Sequence, residues 1–235
     1  MKPVNALMLT GIVMMSMGMA WASTAQAQDA GSSTVASQAM PSYRPPMRGA
    51  PASRLGGAHR GAEGDDWTLL VLAPEHTGQT TAAQPTLYWY TSKDVEQPVE
   101  ITLIARGAID PLLEHTLKGP VRAGVQRLAL ADLGVSLKPG TEYQWFVSVI
   151  MDPTQRSQDY TAGAAIQRVA ADQETQARLQ NAPAEELAFI YAQAGLWFDA
   201  IDSLSQRINS SPTDAVARQQ RQALVQQVGL KLPKD

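Results

Sequence analysis

The sequence contains no cysteine among its 235 residues. This absence excludes catalytic thiols, thiolate zinc sites, iron–sulfur clusters and disulfides, so packing alone must stabilise the fold. Charge is also scarce, since 17% of the residues are charged and the net charge is −3. The chain therefore lacks the excess of Lys and Arg that drives general binding to nucleic acid, and no nucleic-acid partner is predicted. Hydrophobic residues make up 44% of the chain, which indicates a folded core.

Sequence motifs of known catalytic chemistry are missing as well. There is no G-x-S-x-G nucleophile elbow, no H-E-x-x-H zinc motif, no phosphate loop and no dinucleotide fingerprint. The three histidines, His59, His76 and His115, lie in separate segments, so neither a metal site nor a cofactor is predicted. We therefore expect a protein without enzymatic activity. A hydrolase whose site the sequence does not reveal is an alternative.

Residues 1–27 have the pattern of a secretory signal peptide. Lys2 provides a positive charge, an interrupted apolar run follows, and Ala25 and Ala27 occupy the −3 and −1 positions of a cleavage site. The pattern predicts cleavage after Ala27 and a periplasmic or secreted protein. No later apolar run is long enough to span a membrane, so no membrane span is expected after cleavage. An uncleaved anchor is the alternative, which the short apolar run disfavours.

Residues 28–64 are rich in Ala, Gly, Ser, Pro and Arg and poor in β-branched and aromatic residues. Such a composition buries too little apolar surface to order a chain, so the first half is predicted to be a disordered linker. The second half repeats arginine among glycines without an acidic residue, and Arg48, Arg54 and Arg60 are candidate binding residues. We expect this Arg/Gly arm, residues 48–61, to dock on an anionic or carbonyl-rich surface. A solvated flexible leader is the alternative.

Residues 65–171 alternate apolar and polar residues with period two. Seven short runs are separated by turn residues: 67–73, 86–91, 99–106, 112–117, 125–130, 143–151 and 165–169. This pattern predicts an all-β sandwich of about seven strands, similar to immunoglobulin and fibronectin type III domains.

Aromatic residues support this interpretation. The segment 137–143, with the pattern Leu-x-Pro-Gly-Thr-x-Tyr, is typical of a tyrosine corner, in which the phenol bonds to an upstream backbone group. We expect Tyr143, Trp145, Trp89 and Trp67 to lie in the core. If aromatic side chains such as Trp89 and Tyr90 were instead exposed, they would form a flat platform for sugars or peptides.

Residues 172–235 change to a helical period and predict a small α-helical section. A polar helix is expected from Asp172 to Gln180, a second begins with Pro183 as its first residue, and the last ends at Gly229. The alternation of small and large side chains between the second and third helices resembles one tetratricopeptide (TPR) unit.

Because this TPR-like unit occurs once, it cannot bury a continuous core by itself. We expect it to dock on the β-sandwich, and pairing with helices of another chain is the alternative. The groove between its helices, near Tyr191, Trp197 and Asp199, is the second candidate binding site.

Seven motifs follow one another along the chain. They are Arg48-Gly49-Ala50-Pro51-x-x-Arg54-x-Gly56-Gly57-Ala58-x-Arg60-Gly61, Leu72-Ala73-Pro74, Pro85-Thr86-x-Tyr88-Trp89-Tyr90, Leu137 to Trp145, Asp152-Pro153-x-x-Arg156-Ser157-x-Asp159, Gly163-x-x-Ile166-x-Arg168 and Leu196-Trp197-Phe198-Asp199-Ala200. In this order they resemble a bacterial family known only as domain of unknown function 928. The resemblance implies an exported protein with a role in cell-envelope interactions, and it supplies no activity.

The sequence therefore predicts an exported, non-enzymatic binding module that recognises an envelope protein or peptide through the Arg/Gly arm and the helix groove. A carbohydrate- or cell-wall-binding β-sandwich is a further alternative.

Overall fold

The computed structural model describes residues 39–46 and 67–232, which contain eight strands, four α-helices and two short 3-10 helices, Leu130–Leu133 and Arg156–Gln158. The strands are β1 (Leu69–Val71), β2 (Gly78–Thr80), β3 (Thr86–Thr91), β4 (Val99–Ala105), β5 (Leu113–Leu117), β6 (Gly124–Ala129), β7 (Glu142–Val149) and β8 (Tyr160–Arg168). The helices are α1 (Gln173–Asn181), α2 (Ala184–Gln193), α3 (Trp197–Ser210) and α4 (Ala215–Gln226). The predicted signal peptide and the Arg/Gly arm lie outside the described residues.

The strands form two sheets. The three-stranded sheet has the order β1-β3-β6 and is antiparallel throughout. The five-stranded sheet has the order β2-β8-β7-β4-β5. Its strands are antiparallel except for β2, which pairs in parallel with β8 so that Gly78 lies opposite Ile166. The second sheet is therefore mixed.

Strands β7 and β3 differ in how many of their faces are covered by other parts of the protein. Strand β7 buries alternate side chains, among them Tyr143, Trp145 and Val147, because one of its faces packs on the core. Strand β3 buries five consecutive residues. One of them, Tyr88, donates a hydrogen bond from its hydroxyl to Asp202 of α3 at 2.7 Å, so a helix contacts β3.

Helix α3 belongs to the same core as the sheets. Its residues Trp197, Phe198, Ile201 and Leu204 are buried in one cluster with the strand residues. The ring of Phe198 packs on Gly78 of β2, where an added Cβ would lie 2.6 Å from the ring, so glycine permits this close approach.

The predicted all-β sandwich followed by a small TPR-like helical section is therefore wrong, and the fold is α+β. The alternation located most strands, but the short strand β2, Gly-Gln-Thr, carries no apolar alternation and was not predicted. Its parallel pairing makes the sheet mixed. The helices pack into the core of the sheets, because α3 presents large apolar side chains to them.

Several local predictions are confirmed. Trp67, Trp89, Tyr143 and Trp145 are buried, and the backbone N–H of Lys138 donates to the Tyr143 hydroxyl at 3.1 Å, as expected for a tyrosine corner.

The first two helices begin close to the predicted positions. Asp172 caps α1 by accepting from the N–H of Thr175 at 2.7 Å. Pro183 precedes α2 as its N-cap, one position before the predicted one. None of the helices within residues 39–46 and 67–232 combines the length and the apolar composition that crossing a membrane requires.

Two buried tryptophans provide a matched test of this packing. The indole N–H of Trp197 donates to the Leu72 carbonyl at 2.8 Å, whereas that of Trp145 has no partner among the described residues. Both side chains are fully buried. We expect Trp197→Phe to lower the free energy of unfolding by about 1–2 kcal/mol more than Trp145→Phe, because only the first change leaves a buried carbonyl unpaired. Urea unfolding of both variants measures this difference, and equal losses would contradict it.

Candidate peptide-binding groove

Residues 39–46 form an extended segment that lies against α2, α3, α4 and the loop between β1 and β2. We call the surface beneath this segment the groove; it is formed by His76, Ala192, Gly195, Trp197, Gln220 and Gln227. Pro41 and Tyr43 are buried, while Ser42 and Arg44 are exposed, so alternate residues face the groove. The prediction of a disordered linker is therefore wrong for residues 39–46. Their order comes from contacts with distant residues, which local composition does not reveal.

The side chain of Gln227 binds the backbone of the segment at two points. Its Oε1 accepts from the N–H of Tyr43 at 2.9 Å, and its Nε2 donates to the carbonyl of Pro41 at 2.8 Å. The amide of one side chain thus pairs with the carbonyl of Pro41 and the N–H of Tyr43, two residues apart. A residue of a neighbouring β-strand would pair with the same two groups. This contact depends on the extended backbone and is independent of side-chain identity.

Two further backbone contacts hold the ends of the segment. Gln220 of α4 donates from Nε2 to the carbonyl of Ala39 at 3.1 Å, and the N–H of Arg44 donates to the carbonyl of Ala192 at 3.0 Å. Gly195, with a φ of 77°, lies beneath the segment, where an added Cβ would be 3.0 Å from the Arg44 carbonyl oxygen. Glycine is required there both for the backbone conformation and for the close approach.

Tyr43 is the aromatic anchor of the segment. Its ring meets the edge of Trp197 at a centroid distance of 4.9 Å and stacks on His76 at 5.8 Å. Its hydroxyl oxygen lies 2.7 Å from Nε2 of His76. With 8% of its surface exposed, Tyr43 buries the largest apolar area that the segment offers.

Burial sets the protonation of this pair. Desolvation raises the pKa of Tyr43 far above its ordinary value, so the phenol keeps its proton. Desolvation lowers the pKa of His76, so the imidazole is neutral near pH 7. The phenol and the neutral imidazole therefore share one hydrogen bond, and the tautomer of His76 sets which of the two donates.

The lowered pKa of His76 predicts a pH dependence of stability. Between this pKa and the unfolded value of about 6.5, the unfolded state binds more protons, so stability falls as the pH falls through this window. We expect the melting temperature to decrease from pH 7.5 to pH 5, and the decrease to be smaller in His76→Gln. The buried carboxyl of Asp199, whose pKa is raised by desolvation, acts on stability in the opposite direction in both proteins, so the difference between them isolates His76. Identical pH profiles for the two proteins would contradict this prediction.

An open cleft of about 560 Å³ lies beside the docked segment. Its lining combines aromatic, proline, amide, carboxylate and imidazole side chains, contributed by the segment, the loop between β1 and β2 and the end of α4: Tyr43, Pro45, Pro74, Glu75, His76, Gln227, Val228 and Gly229. No three His, Asp or Glu side chains come together as a metal site in the described part of the chain. The cleft and the groove together can hold an extended peptide with polar and apolar side chains.

Residues 55–234 match the sequence model of a family described as Domain of Unknown Function (DUF928). The chain belongs to the DUF928 family. The groove residues His76, Gln220 and Gln227 lie within the range that matches the DUF928 model, whereas the segment 39–46 precedes it. No curated protein matches the chain.

In the structure of this DUF928 protein, most of the predicted helix-groove residues are buried or half-buried. Trp197 has no exposed surface, and it lies against Tyr43 and against Leu72, which follows β1. Tyr191 is half-buried. The predicted groove around these side chains is therefore already filled, and the predicted Arg48, Arg54 and Arg60 lie outside the described residues.

Asp199, the third predicted helix-groove residue, joins α3 to the sheet. Its carboxylate accepts from the backbone N–H of Thr81 at 3.0 Å and from the Thr81 hydroxyl at 2.7 Å. Desolvation raises the pKa of Asp199, although these bonds oppose the shift. Both carboxylate oxygens are thus engaged by Thr81 within the chain.

The exposed aromatic platform considered for sugar binding does not form at Trp89 and Tyr90. Trp89 has no exposed surface and Tyr90 has 8%. Both residues lie on β3, which packs within the core.

Among the groove residues, sequence reasoning named Trp197 as a candidate binding residue, and it missed the others and the docked segment. Tyr43 was the available signal, because it is the one Phe, Trp or Tyr in residues 28–64 and lies between prolines. His76, Gln220 and Gln227 gave no signal, since isolated histidines and glutamines are common on protein surfaces.

Proposed function

We propose that this DUF928 protein is an exported, non-enzymatic binding module of the cell envelope. The observation that carries this proposal is the groove holding residues 39–46 through backbone hydrogen bonds and one aromatic anchor. Contacts of this type are used by domains that recognise extended peptides. Export is supported by the signal-peptide pattern of residues 1–27.

Export has a direct test. Expression of the full chain with a C-terminal tag should yield an exported product whose N-terminal residue is Gln28, as read by Edman sequencing. A product that retains residues 1–27 and stays with the cytoplasmic fraction would reject export. The cleavage site itself is tested by Ala27→Gln, which should slow processing.

We further propose that the Arg/Gly arm contributes to recognition of an envelope protein. Arg48, Arg54 and Arg60 repeat without neighbouring acids, and guanidinium groups bind carboxylates and backbone carbonyls through several donors at once. The double variant Arg54→Ala/Arg60→Ala should then reduce recovery of partner protein by the tagged chain without lowering the melting temperature.

The matched control removes the same charge from the sheet surface. Arg106 and Arg122 are 65% and 78% exposed, and each forms one surface ion pair. The control Arg106→Ala/Arg122→Ala should leave partner recovery unchanged, since surface pairs of this kind contribute little to stability. If recovery is the same for both double variants, the arm is not a binding element.

A further inference from the structure

We propose that the groove is a recognition site for extended peptides of the pattern Pro-x-Tyr, and that residues 39–46 are its resident ligand, held in cis. This inference deepens the proposed function, because it names the chemistry of the ligand. It follows from how the segment is held and from how the segment is connected to the rest of the chain.

The groove binds the backbone of the segment. Contacts of this kind can be made with any peptide in an extended conformation. Four backbone groups of the segment are paired: the carbonyls of Ala39 and Pro41 and the N–H groups of Tyr43 and Arg44. Three of these contacts come from glutamine side chains of α4 and its end, and the fourth from the last turn of α2. None of them depends on the segment being covalently joined to the groove.

Specificity comes from two inward side chains. Pro41 and Tyr43 are buried, and the Tyr43 ring is enclosed by Trp197 and His76, with its hydroxyl bonded to the imidazole. A tyrosine that fills an aromatic pocket and satisfies its hydroxyl is the typical anchor of a binding hot spot. Phenylalanine would leave His76 without this bond.

The docked segment and the residues that form the groove lie in different parts of the sequence. Residues 47–66 connect it to Trp67, and a chain of that length spans up to about 70 Å when extended. The DUF928 match begins at residue 55, so the groove lies inside the matched range and its occupant lies before it. The occupant and the site thus belong to different parts of the chain, as a ligand and its receptor do.

The covalent connection predicts competition. The covalent connection holds the cis segment near the groove at an effective concentration on the order of mM, so a free peptide of the same sequence competes poorly in the intact chain. Loss of the Tyr43 anchor from the cis segment should open the groove to a peptide added in trans.

The test uses a fluorescein-labelled peptide with the sequence of residues 39–46 and fluorescence polarisation. The full chain carrying Tyr43→Ala should bind it saturably, at least about tenfold more tightly than the unaltered chain. A peptide with alanine at the position of Tyr43 should bind about 30-fold more weakly. A folded Tyr43→Ala chain, shown by an unchanged far-UV circular dichroism spectrum, that binds neither peptide or both equally would overturn the proposal.

Two neighbouring glutamines give a matched control on the groove side. In the Tyr43→Ala chain, Gln227→Ala should weaken peptide binding because both bonds to the peptide backbone are lost. Gln226→Ala, an exposed neighbour at the end of α4, should leave the affinity unchanged. Equal affinities of the two variants would contradict the assigned site.

A second route remains if Tyr43→Ala fails to fold. A protease site inserted between residues 48 and 61 of the otherwise unaltered chain allows cleavage of the connection after folding. The labelled peptide should then exchange into the groove and displace the released fragment, while the alanine peptide should not. Failure of exchange at any peptide concentration would reject the site. That failure is distinct from failure of the proposed function, whose test is partner recovery through Arg54 and Arg60.

Discussion

Trp197→Ala is expected to lower the free energy of unfolding by about 3–5 kcal/mol. The side chain has no exposed surface and lies where helix α3, the core strands and the docked segment meet. Its removal leaves a cavity, an unpaired Leu72 carbonyl and a Tyr43 ring without its edge contact. Urea denaturation followed by far-UV circular dichroism measures the loss.

The matched control is Met151→Ala, because Met151 is also large and apolar but is 42% exposed. We expect this change to cost less than about 1 kcal/mol. A loss below about 1.5 kcal/mol for Trp197→Ala would show that the helices and sheets do not share one core.

Asp199→Ala is expected to cost about 2 kcal/mol, the second largest effect. The change leaves both the backbone N–H and the hydroxyl of Thr81 without their acceptor at the contact between α3 and the end of β2. Thr81 is partly buried, and a buried donor without a partner costs about 1–3 kcal/mol. Asp199→Asn should lose less, since the amide oxygen still accepts from one of the two donors.

Asp110→Ala is the control for this prediction. Asp110 is exposed in the turn between β4 and β5, so its loss should change the free energy of unfolding by no more than about 0.5 kcal/mol. If Asp199→Ala costs no more than Asp110→Ala, the carboxylate does not hold the helix to the sheet.

Local pattern was enough to predict most of the secondary structure. The alternation over 143–149 and the helical pattern that begins at Asp172 depend on neighbouring residues, and the structure has a strand and a helix at these places. Strand β2 was missed because a three-residue strand of Gly-Gln-Thr carries no periodic signal. These three residues form a strand because they pair with β8, which lies more than 80 residues away in the chain.

The assembly of the elements was not predictable in the same way. The surroundings of Trp197 illustrate this, since its spacing within a helix predicted a helix–helix contact. In the structure its indole bonds to Leu72 and its ring meets Tyr43. Helix α3 packs on α2 and α4 and also on β2 and β3, but its spacing alone did not identify Leu72 and Tyr43 as the partners of Trp197.

The groove was missed because its two sides are far apart in sequence. The composition of residues 28–64 correctly indicated little apolar surface, but one buried tyrosine and the Gln227 contacts order residues 39–46. A segment that makes few contacts with its neighbours can still be held by a preformed surface elsewhere.

Hydrogen–deuterium exchange at the amides of Tyr43 and Arg44 tests most directly whether the segment occupies the groove. These two N–H groups donate to Gln227 and Ala192, so we expect them to exchange more slowly in the full chain than in a free peptide of residues 39–46. Gln227→Ala should raise the exchange rate at Tyr43. Exchange of both amides at the rate of the free peptide, while the core amides of β7 stay protected, would contradict the account.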